Sequence, residues 1–200
     1  MRISWEQLSH NIESCQACGL AAGCRRKVPG QGDPHAPLML IGEGPGEQED
    51  RQGLAFVGPA GQLLTRMLAA ISLPRDRVYI CNVVKCRPPN NRQPTPEEMA
   101  ACLLHLRGQV ALVRPRVILL LGATAVAAVL ALRVDSAEAQ QIALDTVGGG
   151  EIVSQEVSSE GLWNEYSYEI INGDTWYDIE ISGFGSVTEL ESVSSQYPRG

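Results

Sequence analysis

Basic side chains nearly vanish after Arg133: residues 134–200 carry one Lys or Arg against 13 Asp and Glu, a balance of −12. That charge excludes a nucleic-acid surface in this half, because it would repel a polyanion. Cysteine and histidine are missing there as well, since all six cysteines and all three histidines precede Arg133. Thiol and imidazole chemistry is therefore confined to the first part. Phenylalanine occurs twice in 200 residues, so each ring needs a reason. No uncharged apolar run reaches the roughly 20 residues that span a bilayer. The run Val117 to Leu132 has 16, is broken by Gly122 and Thr124, and reads as a buried strand, a turn and a packed helix. The N-terminus, Met1-Arg-Ile-Ser-Trp-Glu-Gln, has no apolar leader, so the expectation is a cytoplasmic protein with no membrane contact.

What is present divides the same way. Residues 1–133 carry 15 Lys and Arg against 10 Asp and Glu, a balance of +5 that suits a polyanionic partner. Two units are expected, 1–133 and 134–200. In the first, Ser4-Trp-Glu-Gln7 is a capping-box pattern that starts a helix running to about Ser14. Leu38–Ile41, Val78–Val84 and Val117–Leu121 read as buried strands, and Gly61–Ile71 reads as a helix. Thr95-Pro-Glu-Glu98 opens another helix, with Met99, Cys102, Leu103, Leu106 and Val110 on one face. Apolar strands alternating with helices imply a parallel sheet covered on both faces, with function in the loops at the strands' carboxyl ends. In the second unit a helix over Ser136–Val147 precedes four alternating strands, Glu151–Ser158, Trp163–Ile171, Thr175–Ile181 and Val187–Val193. Asn172-Gly173 signals a hairpin between two of them. This is a small α+β unit with an antiparallel meander.

Cys15-Gln-Ala-Cys18 is a CxxC, Cys86 and Cys102 make a wider pair, and Cys24 and Cys81 are left over. A cytosolic chain seldom spends six cysteines on disulfides. Four thiolates gathered from a helix end, a loop and a helix face suit Zn²⁺ or an iron–sulfur cluster, and the spacing admits either. Two loops carry the other candidates. Gly42-Glu-Gly-Pro-Gly-Glu-Gln-Glu-Asp50 places its glycines at 42, 44 and 46, outside a dinucleotide GxGxxG pattern. Its acids Glu43, Glu47, Glu49 and Asp50 disfavour a phosphate and suit a neutral, polar ligand beside a positioned carboxylate. Phe56, in Gly53-Leu-Ala-Phe-Val-Gly58, is a candidate stacking platform for a base. The second loop, Cys81 to Arg92, offers Asn82, whose amide donates and accepts at once as a pyrimidine edge requires, and Lys85, Arg87 and Arg92 for phosphate contacts.

Taken together, GEGPGEQEDRQGLAFVGPAGQLL, NVVKCRPPNNRQPTPEE, the upstream CxxC and the later helical cysteine resemble the type-4 uracil-DNA glycosylases over about residues 4 to 132. The resemblance implies a three-layer αβα fold, here incomplete, and a base-excision-repair enzyme acting on uracil in single- or double-stranded DNA as a monomer. It implies a 4Fe-4S cluster held by Cys15, Cys18, Cys86 and Cys102. Phe56 would stack on the flipped uracil, Asn82 would read its polar edge, and Glu43 with the Gly44 backbone would position water at the anomeric carbon. The family continues to a further strand and a His-Pro-Ser-like loop whose histidine steadies the leaving uracil anion. No such motif occurs here, so weak hydrolysis is expected, with an inactive iron–sulfur nucleic-acid-binding fragment as the alternative.

The histidines present, His10, His35 and His105, read as first helix, loop and mid-helix surface. Residues 134–200 resemble a PepSY domain through the helix, the Gly148-Gly-Gly150 run and the strands. That resemblance implies a protein partner for the C-terminal unit, and the junction reads either as a fusion or as two coding segments joined.

Overall fold

The computed structural model describes residues 4–160 and 163–194. Residues 1–3, part of the stretch read above for the lack of a leader, lie outside them. The chain is mixed α/β and forms two compact units that divide between Ala131 and Leu132.

In the first unit Ser4 accepts the Gln7 N–H at 3.2 Å and starts α1 (Trp5–Glu13), whose Leu8 and Ile12 are buried. A short turn of helix, α2 (Leu20–Gly23), and a two-residue strand, β1 (Gln31–Gly32), follow. Then come β2 (Leu38–Gly42), α3 (Glu47–Gln52), α4 (Pro59–Ala70) and β3 (Tyr79–Asn82). The unit ends with α5 (Pro96–Val113), β4 (Val117–Leu120) and α6 (Ala123–Ala131). The sheet order is β1-β3-β2-β4, with β2 parallel to both β3 and β4. Met39, Leu40, Ile41 and Ile80 are fully buried, so the two central strands are covered on both faces, as continuous apolar runs require. The register sets Gly42 beside Asn82, which brings the loops after β2 and β3 to one end of the sheet.

Three expectations need correction. The sheet is not wholly parallel, because β1 adds an antiparallel edge too short to show any alternation in sequence. The segment read as a glycine-rich loop contains α3, a helix whose acids Glu47, Glu49 and Asp50 sit in its first turn, where the dipole favours them. The third strand, β4, is an edge strand rather than a buried one: Val117 is 56% and Leu119 46% exposed.

The second unit places α7 (Ser136–Val147), capped by Asp135 accepting the Glu138 N–H at 2.8 Å, on a four-stranded sheet. The strands β5 (Glu151–Glu160), β6 (Trp163–Asn172), β7 (Thr175–Ile181) and β8 (Val187–Ser194) pair antiparallel in sequence order. Tyr166, Tyr168, Ile170, Ile179 and Ile181 form its core with Ala139 and Ala143. The β6–β7 turn is Gly173-Asp174, one residue later than the Asn-Gly pair suggested, since Asn172 still pairs with Thr175.

Two cross-strand rows of polar residues run over this sheet. One is Glu156, Ser167, Glu180 and Glu189, and the other is Ser154, Glu169, Asp178 and Glu191. Carboxylates set directly opposite one another destabilise a sheet. The unfolding midpoint of this unit, followed by circular dichroism, should therefore rise as NaCl is raised to about 0.5 M, which screens charges beyond a few Å. A midpoint indifferent to salt would refute that reading.

Candidate functional site

The carboxyl ends of β2 and β3 open into a cavity of about 490 Å³, lined among others by Glu43, Gly44, Phe56, Asn82 and Arg92. A Cβ built on Gly42 would lie 2.5 Å from Phe56 Cζ and 2.7 Å from Asn82 Oδ1. The ring and the carboxamide therefore approach each other over a glycine, and no larger residue fits between them. Phe56 sits at φ +52°, in the left-handed region that a non-glycine residue seldom adopts. It is held there from behind, because the backbone of Gly61 in α4 packs so closely that a Cβ would meet Phe56 O at 1.8 Å.

The acids of the β2–α3 segment have separate tasks. Glu49 is 8% exposed and spends its carboxylate on the main chain. Its Oε1 accepts the N–H groups of Val57 at 2.8 Å and Gly58 at 2.7 Å, and its Oε2 accepts that of Gly46 at 3.1 Å. Asp50 accepts the Arg25 N–H at 2.9 Å, and Glu47 pairs with Arg51 on the surface. Glu43 is different: its Oε2 accepts the Thr124 hydroxyl at 2.5 Å, which ties the cavity to the start of α6. The sequence singled out neither Thr124 nor the structural use of Glu49. The acid-rich stretch thus reflects the loop's own construction more than the charge of a ligand.

The basic candidates divide. Lys85, expected to meet phosphate, is 1% exposed, and its ammonium donates to Asn82 O and Gln109 Oε1, each at 2.5 Å. Its reach into the interior removes it from any surface contact. Arg87 is half-buried and donates to Asn91 Oδ1 at 2.7 Å. Arg92 is exposed and forms a two-pronged pair with Glu98 at 2.8 and 2.7 Å, which a phosphate would have to displace.

All six cysteines are free thiols. Burial, first, and the nearby thiols of Cys18 and Cys15 push the Cys102 thiol up, while the Lys85 N–H and charge oppose them. Burial, first, and then the Cys24 thiol raise the Cys86 thiol, with Cys102 adding to them and the Lys27 charge opposing. The sulfurs of residues 15, 18, 24, 86 and 102 therefore occupy one region, which includes Cys24, set aside in the sequence. Cys81 is fully buried and its field is felt at Lys85 and Tyr79. Among the described residues no three His, Cys, Asp or Glu side chains stand close enough to share a single ion. His105, read as surface, is 8% exposed on the inner face of α5, and burial followed by the Lys85 charge lowers its pKa. None of the three histidines lines the cavity.

The sequence model of the uracil DNA glycosylase superfamily matches residues 29–172. The chain belongs to that superfamily. It is 51% identical over 120 residues to the type-4 uracil-DNA glycosylase of Thermotoga maritima, covering 60% of this chain and 62% of that one. The corresponding protein of Archaeoglobus fulgidus is 50% identical over 119 residues, covering 60% of each. The type-5 uracil-DNA glycosylase of Thermus thermophilus is 39% identical over 121 residues, covering 53% of this chain and 55% of that one. The chain thus spans about three fifths of the type-4 relatives it matches. Among the described residues no helix is long and apolar enough to cross a membrane.

Replacing Glu49 with Gln puts an amide where three N–H donors need a charge, and each lost charge-assisted bond is worth about 1.5–3 kcal/mol. The Val57 and Gly58 amides should exchange with deuterium faster in E49Q while those of β2 keep their protection. Unchanged exchange at both would refute the assignment of Glu49 as the brace of this loop.

Proposed function

We propose that the chain is a uracil-DNA glycosylase that hydrolyses the N-glycosidic bond of a deoxyuridine flipped out of DNA, at a reduced rate. The observation that carries this reading is the approach of the Phe56 ring and the Asn82 carboxamide over Gly42. A flat base entering that gap stacks on the ring while its amide-like edge meets a group that donates and accepts together. The size of the cavity, about 490 Å³, admits a nucleoside and leaves room for water. The names of the relatives supply the substrate class.

Glu43 is suited to act on the sugar. With Oε2 taken by Thr124, Oε1 remains to orient a water toward the anomeric carbon and to offset the positive charge that develops there. As the bond from that carbon to the uracil nitrogen breaks, its electron pair leaves on the base and the water oxygen bonds to the sugar; one of the water's protons stays on the new hydroxyl, and the other passes to the carboxylate or solvent and finally to the base. No histidine lines the cavity to steady the departing anion. Loss of one such stabilising group typically costs about 10²–10³-fold in rate.

The sulfur-rich region fits an iron–sulfur cluster in its donor chemistry: every candidate is a thiol, and Lys27 beside Cys86 and Lys85 beside Cys102 oppose the effect of burial on them. Cys15, Cys18, Cys86 and Cys102 would hold a 4Fe-4S cluster, which would staple α1, the β3–α5 loop and α5 together. Arg87 and Arg92 are assigned to the DNA backbone, Arg92 by exchanging Glu98 for phosphate. Residues 134–200 are read as a PepSY-like module that binds a protein partner, and the whole as a cytoplasmic monomer.

The test uses anaerobically purified full-length chain and a labelled single-stranded oligonucleotide with one uracil, treated with alkali after incubation. Brown protein with about four irons per chain and a slow alkali-labile product are expected. Iron-loaded protein that yields no product at stoichiometric enzyme would refute hydrolysis. If it still prefers uracil to thymine in binding, the binding-only reading replaces it. F56A should weaken binding roughly 10–100-fold, the worth of one stacked base, and unchanged binding would remove Phe56 from the site.

A further inference from the structure

Asn82 ends β3 where its neighbour on one side runs out. The register of β1 pairs Gln31 with Ile80 and Gly32 with Tyr79. Extended by two residues, it sets Pro29 opposite Asn82, and proline has no N–H to give to the Asn82 carbonyl. On the other side β2 uses its own carbonyls on the following residues, as Val83 N donates to Gly42 O at 2.8 Å and Val84 N to Glu43 O at 3.1 Å. The Asn82 carbonyl would be a buried acceptor without a partner, which is costly.

Two buried side chains fill the gap. Lys85 Nζ donates to Asn82 O at 2.5 Å, and Gln109 Nε2, from α5, donates to Pro29 O at 2.6 Å. The two are joined, since Lys85 Nζ also donates to Gln109 Oε1 at 2.5 Å, and Gln109 Nε2 makes a further bond to Tyr79 Oη at 3.0 Å. Both side chains are all but inaccessible, Lys85 at 1% and Gln109 at 0%. Lys85's main chain is fixed as well: its carbonyl accepts the Val28 N–H at 2.8 Å, and its N–H meets the Cys102 thiol. An amine donates both bonds whether it is charged or neutral.

We propose that Lys85 is a positioning residue for base recognition: held by Gln109, its amine supplies the rung that Pro29 cannot, and so fixes the direction in which the Asn82 carboxamide enters the cavity. The proposal rests on the reading of Asn82 as the base-reading group. It replaces a DNA contact for Lys85 by an internal one. It also gives a route from α5, which carries both Gln109 and Cys102, to the residue beside the base.

The experiment compares K85M, which removes the donor to Asn82, with Q109E, which keeps an acceptor for Lys85 but loses the donor to Pro29. Both should lower stability in urea, so stability alone does not separate them. Preference for an oligonucleotide with one uracil over the same strand with thymine, read by fluorescence anisotropy on full-length protein, should fall roughly 10–100-fold in K85M and persist in Q109E. Crystal structures of the two should show Asn82 turned in K85M and unmoved in Q109E. Where K85M does not fold, the double variant K85M/Q109L, which removes both buried polar side chains together, should give the same loss.

Retained preference in K85M or in K85M/Q109L, or an equal loss in Q109E, would overturn the proposal. Wild-type protein without any preference would overturn the base-reading role of Asn82 and this proposal's functional half. The position of Asn82 in the crystal structures separately decides whether Lys85 sets it.

Discussion

A single buried carboxylate organises the loop on which the cavity depends. Glu49 gathers the N–H groups of Gly46, Val57 and Gly58, two of them beyond the end of α3 and one before its start. Because these donors follow Phe56 at positions 57 and 58 and follow Gly44 at position 46, the ring and the turn after β2 are set by one side chain. The Gly61 backbone then leaves Phe56 no room to retreat. The opposite wall follows the same logic with the signs exchanged: there a buried amine gathers acceptors, the Asn82 carbonyl and the Gln109 amide oxygen. A carboxylate holding donors and an amine holding acceptors thus define the two sides of the gap over Gly42.

Both arrangements are expensive in isolation and stable only as satisfied sets. Each buried donor or acceptor left without its partner costs about 1–3 kcal/mol, so neither Glu49 nor Lys85 is replaceable alone by an apolar residue of similar shape. The sulfur-rich region adjoins the second set through the Cys102 thiol and the Lys85 main chain. Whatever occupies those thiols therefore bears on the same loop that ends at Asn82.

Much of the framework could be read from the chain. Apolar runs located β2, β3 and β4, the Ser4 and Thr95 caps located α1 and α5, and the period-two pattern located the C-terminal meander. Glycines on either side of Phe56 and the loop position of Asn82 were enough to bring both to notice. The failures share a physical cause. Lys85, His105 and Gln109 are polar residues that sequence assigns to solvent by default, and Lys85 and Gln109 are buried because partners far along the chain satisfy them. Glu49 and Asp50 were read as acting on a ligand when their partners are the protein's own N–H groups. β1 was invisible because two residues carry no period, and the exposed face of β4 because a strand's place at a sheet edge is a property of the assembled sheet.

The left-handed backbone at Phe56 sets two demands against each other. Asparagine or glycine would relax a conformation that costs a bulky residue of order 1–3 kcal/mol, so drift toward a more durable fold would tend to erase the ring. Only selection acting on what the ring does can keep an aromatic there, which makes this position a gauge of whether the cavity is still in use among related chains.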